Sequence, residues 1–168
     1  MTEAEALERD LERIAEQERR LRFARQDAAA AWELGRRIRE LAEAKGVEAL
    51  VADVEVGGLQ LFRCVLGEAT PDNAEWVRRK RNTVLRFRRS SYGVGLSLRA
   101  RGTTLEAKAG LPPADYAAHG GGFPLLLEGT GCVGAVVVSG LPQREDHALV
   151  AVALAGTLGV PPAEVALV

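Results

Sequence analysis

The chain has 168 residues, of which 47% are hydrophobic and 27% are charged, a composition that fits one globular domain with a terminal extension. Lys and Arg total 22 against 23 Asp and Glu, and the formal net charge of -1 disfavours a nucleic-acid-binding or membrane-surface protein. Two cysteines are too few for a disulfide scaffold, and no apolar run approaches the ~20 residues of a membrane span. The charged N-terminus lacks a signal-peptide core, so we expect a reduced, cytoplasmic protein with no membrane partner.

Hydrophobic periodicity predicts the elements in chain order. Apolar residues repeat with a helical period in four segments, which are 3–22, 27–45, 71–90 and 143–158. They follow the period of a strand in four others, which are 48–56, 59–66, 124–128 and 132–139. Mixed helix and loop are expected over 93–118, and a short edge strand or coil for the tail. We expect a charged amphipathic helix over 1–23 as an extension and a single α/β domain of the α+β type over 24–168.

Gly57 and Gly58 join the first two predicted strands, and a Gly-Gly connection between alternating runs is typical of a two-residue hairpin. Counting outward from this turn puts Leu50, Val54 and Val56 on one face, which also carries Leu59, Leu61 and Val65. Asp53 is then expected on the opposite face, near Phe62.

Residues 76–89 hold seven cations and no acid. On a helix, Lys80 shares an apolar face with Trp76 and Val84, and a lysine in such a face needs a partner. Three interpretations follow. The run pairs with the acid-rich first helix, within or between subunits, or it binds a small anion, or, least favoured, it binds nucleic acid.

The run His119-Gly120-Gly121-Gly122-Phe123 precedes the third predicted strand. Consecutive glycines can direct several backbone N–H groups at one anion, and the adjacent histidine could ligate a metal or haem iron or act as a base. The alternative is a loop kept thin so that a strand and a helix can approach closely.

Where the last predicted strand gives way to the last helix, the chain reads Ser139-Gly140-Leu141-Pro142-Gln143, followed by Asp146 and His147. The start of a helix favours anions, and Ser139, Asp146 and His147 could form a nucleophile–base set. Asp146 is equally an ordinary acid in the first turn of a helix. The chain has two histidines without metal-ligand spacing, so we expect no metal site.

These segments resemble an uncharacterised conserved family related to the haem-degrading-domain proteins, the HbpS-like and GlcG-like superfamily. The resemblance spans about residues 24–160. The blocks that carry it are Pro71-Asp72-Asn73, Trp76-Val77-Arg78-Arg79-Lys80, Val84, Ser90-Ser91, Gly121-Gly122-Phe123-Pro124, Gly134, Val138-Ser139-Gly140-Leu141-Pro142-Gln143 and Asp146-His147. It implies a profilin-like fold, an antiparallel five-stranded sheet flanked by helices, and a large homo-oligomer. It also implies kinship with haem-binding and haem-degrading proteins.

We therefore expect a cytoplasmic homo-oligomeric binding protein for a small anionic ligand, either haem or another carboxylate-bearing molecule. The alternatives are a haem-degrading or other small-molecule-modifying enzyme, and an assembly module without small-molecule chemistry. The candidate ligand-binding residues are Trp76, Lys80, His119, Gly121, Gly122, Phe123, Ser139, Asp146 and His147.

Overall fold

The structure, a computed structural model, describes residues 1–167. Its helices are α1 (Glu3–Arg20), α2 (Ala28–Ala44), α3 (Pro71–Phe87), α4 (Ser91–Ala100), α5 (Leu105–Ala109) and α6 (Gln143–Leu158). Its strands are β1 (Arg22–Phe23), β2 (Ala49–Val56), β3 (Leu59–Gly67), β4 (Gly122–Leu127) and β5 (Gly131–Ser139). They form one five-stranded sheet in the order β1-β4-β5-β2-β3. This mixed α/β architecture confirms the predicted fold class.

The fifth strand lies at the end of the predicted N-terminal extension. β1 runs parallel to β4, with the Glu128 N–H donating to the Phe23 carbonyl at 2.9 Å, whereas every other pairing in the described sheet is antiparallel. Two residues are too short to show a strand period, so the sequence pattern revealed four strands and only the family resemblance implied five. The division expected at residue 23 falls at the end of this strand.

The hairpin register predicted from Gly57 and Gly58 is wrong beyond its first two residue pairs. A bulge between Val54 and Glu55 shifts the pairing, so that Val54 faces Phe62 and Asp53 faces Arg63. One extra residue reverses the face of every side chain after it. Val65 is therefore 55% exposed, and Phe62 enters the core instead.

The two faces of the sheet carry different helices. Leu50, Val136 and Val138 point to the side where α2 and α6 pack and where the larger core lies. Val137 and its neighbours on the opposite face pack against Val77 and Val84 of α3. Because α3 and α6 lie on opposite faces, any contact between them passes the end of β5.

Helix α1 packs against α4, where Ile14 contacts Tyr92 and Leu96. Its acids pair within the chain, Glu3 with Arg99, Asp10 with Arg144, and Glu18 with Arg89 at 3.6 Å. In the basic run of residues 76–89, Arg89 forms an ion pair with α1. Within the described part of one chain, the expected pairing of the acid-rich helix with the basic run is thus seen at Arg89, and α1 meets cations from α4 and α6 as well.

The C-terminal tail forms coil with one turn of 3-10 helix over Pro162–Glu164, not an edge strand, and Val165 is buried in the larger core. The predicted domain extends to Val168, which lies outside the described residues. Within residues 1–167, no helix is both long and apolar enough to cross a membrane.

Helix α3 ends at an unusual residue, which allows a test of the fold. Arg88 has φ of 54° and ψ of 34°, the left-handed conformation in which glycine is preferred. We expect Arg88→Gly to keep or raise the free energy of unfolding, because it relieves strain of about 1 kcal/mol. Arg86→Gly, two residues earlier inside the helix, should lower it by about 1 kcal/mol. Equal losses for the two variants in denaturant titrations would contradict the strained helix end.

Candidate functional site

A cleft of about 310 Å³ opens between the N-terminal turns of α3 and α6, at the end of β5; we call it the polar cleft. Five of the nine residues predicted from the sequence line it, namely Trp76, Lys80, His119, Ser139 and Asp146. Asp72, Asn73 and Gln143 also line it, and they come from the first turns of the two helices. The sequence pattern thus located the cleft, because all three conspicuous motifs meet there.

Lys80 and Asp146 form a buried ion pair at the floor of the polar cleft. The Lys80 Nζ donates to Asp146 Oδ2 and to the Val138 carbonyl, both at 3.0 Å, and Asp146 Oδ1 accepts from the Leu141 N–H at 3.0 Å. The two residues are 3% and 1% exposed. The expected partner of Lys80 is therefore Asp146, and the charge that was expected to attract an anion is already balanced.

Burial also acts on the protonation of this pair. Exclusion of water lowers the pKa of Lys80, against the attraction of Asp146. The same exclusion raises the pKa of Asp146, against the attraction of Lys80 and the backbone N–H groups of Leu141 and Gly140. Both shifts lower the free-energy cost of moving a proton from the Lys80 ammonium to the Asp146 carboxylate, compared with the same transfer in water.

The glycine run is used for close packing. A Cβ on Gly120 would lie 1.9 Å from the Gln143 carbonyl oxygen, and one on Gly121 would lie 2.4 Å from the Val138 oxygen and 2.8 Å from the Lys80 Nζ. The N–H groups of Gly120 and Gly122 donate to two different side chains, Gln143 Oε1 and Ser91 Oγ. They do not converge as an anion nest would, so the thin-loop interpretation is the one that the structure supports.

His119 stands at the mouth of the cleft beside two α3 side chains. Its ring meets the Trp76 ring edge-on at 5.0 Å between centroids, and the Arg79 guanidinium lies 4.1 Å from the centre of the Trp76 ring. The pKa of His119 lies below its ordinary value, because the surrounding protein partly excludes water and because Lys80 and Arg79 repel a proton. This shift favours the neutral imidazole, which has a nitrogen lone pair available for a ligand.

A second cavity, of about 510 Å³, lies on the other side of His119 and Arg79; we call it the apolar cavity. Its walls include Leu98, Leu105, Leu111 and Tyr116, and Arg99 also lines it. This cavity was not predicted from the sequence, because the apolar residues of 93–118 follow no continuous period. The leucines of α4 and α5 were its only signal, and their spacing is equally that of a small core.

Phe123 and His147 do not line the polar cleft. Phe123 is fully buried in the larger core, and its ring centroid is 6.0 Å from that of His147. His147 is also fully buried, and its Nε2 lies 2.7 Å from Gln17 Oε1. Since the Gln17 amide nitrogen donates to the Val165 carbonyl, its oxygen faces the ring, and Nε2 carries the proton. His147 thus connects α6 to Gln17 of α1, and Gln17 in turn bonds the C-terminal tail at Val165.

The five-stranded sheet with helices on both faces makes this protein a mixed α/β domain, and its polar cleft lies where α3 and α6 begin. This chain belongs to the family described as haem degrading protein HbpS-like, whose model matches residues 27–155. It is 54% identical to a UPF0303 protein of Rhizobium meliloti (strain 1021) over 153 residues, 91% of this chain and 93% of that one. The crystal structure of Ybr137w protein is similar, with a TM-score of 0.83, 29% identity, and coverage of 95% of this chain and 97% of that one. The crystal structure of HbpS superposes with a TM-score of 0.62 at 25% identity, covering 82% and 93% of the two chains.

The close packing of the loop predicts different costs for two glycine substitutions. Gly121→Ala should lower the free energy of unfolding by about 2–4 kcal/mol, because the new methyl group meets the Val138 carbonyl and the Lys80 amine at a φ of 122°. Gly129→Ala, also at positive φ but in open space, should cost only about 1 kcal/mol. Equal costs in urea titrations would show that backbone strain alone explains both positions.

His147 makes stability depend on pH. Burial and the nearby Arg144 lower its pKa to about 3, against the attraction of Asp10, whereas the unfolded chain titrates near 6.5. The unfolded state therefore binds more protons below pH 6.5, and stability falls as the pH drops from there toward 3.

Between pH 7 and pH 5 the wild type should lose about 2 kcal/mol more of its free energy of unfolding than His147→Gln, as measured by urea titrations. His119→Gln, at the exposed histidine, should keep most of the pH dependence. Identical slopes in wild type and His147→Gln would contradict this account.

Proposed function

We propose that this protein binds a small anionic ligand with a flat apolar body, haem being the leading candidate, on the surface formed by His119, Arg79 and the apolar cavity. The observation that carries the proposal is the position of His119, an exposed imidazole between the polar cleft and the apolar cavity. The volume of about 510 Å³ falls within the range of small-molecule pockets. The family description as haem degrading supports the same ligand class.

The charges of the site favour Arg79 over Lys80 as the partner of a ligand carboxylate. Lys80 is engaged with Asp146 below the surface, whereas Arg79 lines the apolar cavity and stacks on Trp76. An arginine guanidinium binds a carboxylate through two parallel hydrogen bonds. Arg99 supplies a second cation to the same cavity, and its ion pair with Glu3 is exposed, unlike the buried pair of Lys80. A ligand with an apolar body and two acidic groups would meet complementary chemistry here.

The residues present fit haem. The neutral His119 nitrogen can ligate iron, the leucines of the apolar cavity can cover a macrocycle, and Arg79 and Arg99 can pair with propionate groups. Bound haem would supply a redox-active iron, and this chain's own residues would hold and orient it. The proposal is for binding, and it leaves a reaction aside.

Self-association is also part of the proposal, because the family resemblance implies a homo-oligomer; the cytoplasmic location expected from the sequence belongs to the proposal too. Strand β3 is an edge of the described sheet, and Leu59 and Val65 on it are 67% and 55% exposed. Trp32 on α2 is 61% exposed and packs edge-on against Phe62 of β3. Apolar side chains along an open strand edge favour contact with a second protein surface.

A haemin titration followed by absorbance tests the binding site. We expect a stoichiometric shift of the Soret band at micromolar haemin in the wild type and its loss in His119→Ala. Arg79→Ala should weaken binding about tenfold, the effect of one charge-assisted contact. Arg86→Ala, an exposed arginine further along α3, is the matched control and should bind as the wild type does.

Two results would overturn this assignment. The first is the absence of any spectral change on adding haemin to the folded wild type. The second is a His119→Ala spectrum identical to that of the wild type, which would move the iron ligand elsewhere.

A further inference from the structure

The amine of Lys80 is the strongest unassigned chemical group in the protein. The chain contains nineteen arginines and three lysines, Lys45, Lys80 and Lys108. Lys45 and Lys108 are exposed, whereas Lys80 is 97% buried, interrupts the run Arg78-Arg79-Lys80-Arg81 and still lines the polar cleft. Arginine is the usual cation of this chain and keeps its charge, whereas the lysine at position 80 has a compact amine that can lose its proton.

The hydrogen bonds of Lys80 leave one position of its nitrogen unoccupied by protein. A lysine ammonium has three donors. Two of them reach Asp146 Oδ2 and the Val138 carbonyl, and no third acceptor lies within bonding distance among residues 1–167. Because Lys80 lines the polar cleft, a bound molecule can occupy the third position.

Ser139 supplies a second polar group without a partner. It is 95% buried and lines the cleft, and its hydroxyl makes no hydrogen bond within the described part of the chain. Along β5 it shares the α3 side of the sheet with Val137, so its side chain points to the side of the sheet that Lys80 occupies. Because the hydroxyl opens into the cleft, water can occupy its bonding position, and an oxygen of a bound ligand can replace that water.

We propose that the polar cleft binds a small aldehyde and that Lys80 forms an iminium linkage with its carbonyl carbon. Asp146 takes a proton from the Lys80 ammonium, and the free amine adds to the carbonyl carbon, forming the C–N bond. A proton moves from nitrogen to the former carbonyl oxygen, giving the carbinolamine. Asp146 then returns its proton to that hydroxyl, the C–O bond breaks, and water leaves. No oxidant or reductant is needed, and the charges of +1 and -1 remain paired at the end.

The surroundings are suited to this chemistry. The lowered pKa of Lys80 and the raised pKa of Asp146 reduce the cost of the proton transfer that exposes the amine. Asp146 is held in place by the Leu141 N–H, so the proton carrier stays beside the nitrogen. The Ser139 hydroxyl can bind the carbonyl or hydroxyl oxygen of the aldehyde.

The charges of the cleft select an uncharged substrate. Asp72 and Asp146 are the acids of the cleft. Among the lining residues described, Lys80 is the one cation, and it stays paired with Asp146 before and after the reaction. A keto acid would bring a carboxylate with no cation left to receive it. A hydroxyaldehyde of a few carbons fits the volume of about 310 Å³ and the polar amide and hydroxyl groups of the walls. This proposal is independent of haem binding, which depends on His119 and the apolar cavity.

Reductive trapping on the full-length protein tests the proposal. The protein is incubated at pH 7 with glyceraldehyde and cyanoborohydride, and peptide mapping by mass spectrometry measures labelling at each lysine over time. We expect the dihydroxypropyl group to appear on Lys80 at least about ten times faster than on Lys45 and Lys108, which are exposed and lie outside the polar cleft. Pyruvate, of the same carbon count, should label Lys80 more slowly than glyceraldehyde.

Labelling of Lys80 no faster than that of the two exposed lysines would overturn the proposal, and faster labelling by pyruvate would overturn the substrate class. Ser139→Ala should slow labelling of Lys80 several-fold without a loss of thermal stability. Ser97→Ala on α4, away from the cleft, is the matched control and should not change the rate. Equal rates in the two serine variants would remove Ser139 from the site.

Discussion

The ion pair between Lys80 and Asp146 connects parts of the molecule that lie on opposite faces of the sheet. Lys80 belongs to α3 and Asp146 to the first turn of α6, and the two side chains meet beyond the end of β5. The Val138 carbonyl accepts from the same amine, so the strand is tied into the contact. A buried pair of this kind is strongly destabilised when one partner is removed, because the other charge is left without compensation. The two helical layers therefore keep one relative position.

The cleft and its narrow glycine loop follow from this arrangement. The loop that passes over the Lys80 amine must lack side chains if the amine is to reach Asp146. A Cβ atom on Gly121 would lie only 2.8 Å from the Lys80 Nζ. The first turns of the two helices flank the pair and leave an opening, and the Ser139 hydroxyl in it makes no hydrogen bond to the described residues. Structure and candidate chemistry thus depend on the same residues, with His119 at the boundary to a second cavity.

The near-zero net charge reflects opposite charges that pair with one another within one chain. Of the cations on α3, Arg78 pairs with Glu75 and Asp115, Lys80 with Asp146, and Arg81 with Asp53 and Glu55. The acids of α1 meet cations from α4, α6 and the end of the basic run. A run of seven cations consequently presents far less free charge than its sequence suggests.

The sequence by itself determined the four longer helices and four of the strands, because each has a period that local geometry imposes. It also determined that Lys80 needs a partner, and it identified the three segments that meet at the cleft. Only the tertiary structure decided that Asp146 is that partner, that β1 joins the sheet, and that His147 faces α1 instead of the cleft. It also decided the faces of β3, since one bulge near Val54 reverses them without leaving a periodic signal. Periodicity records which side of an element is buried, whereas the identity of the group that covers that side depends on residues distant in sequence.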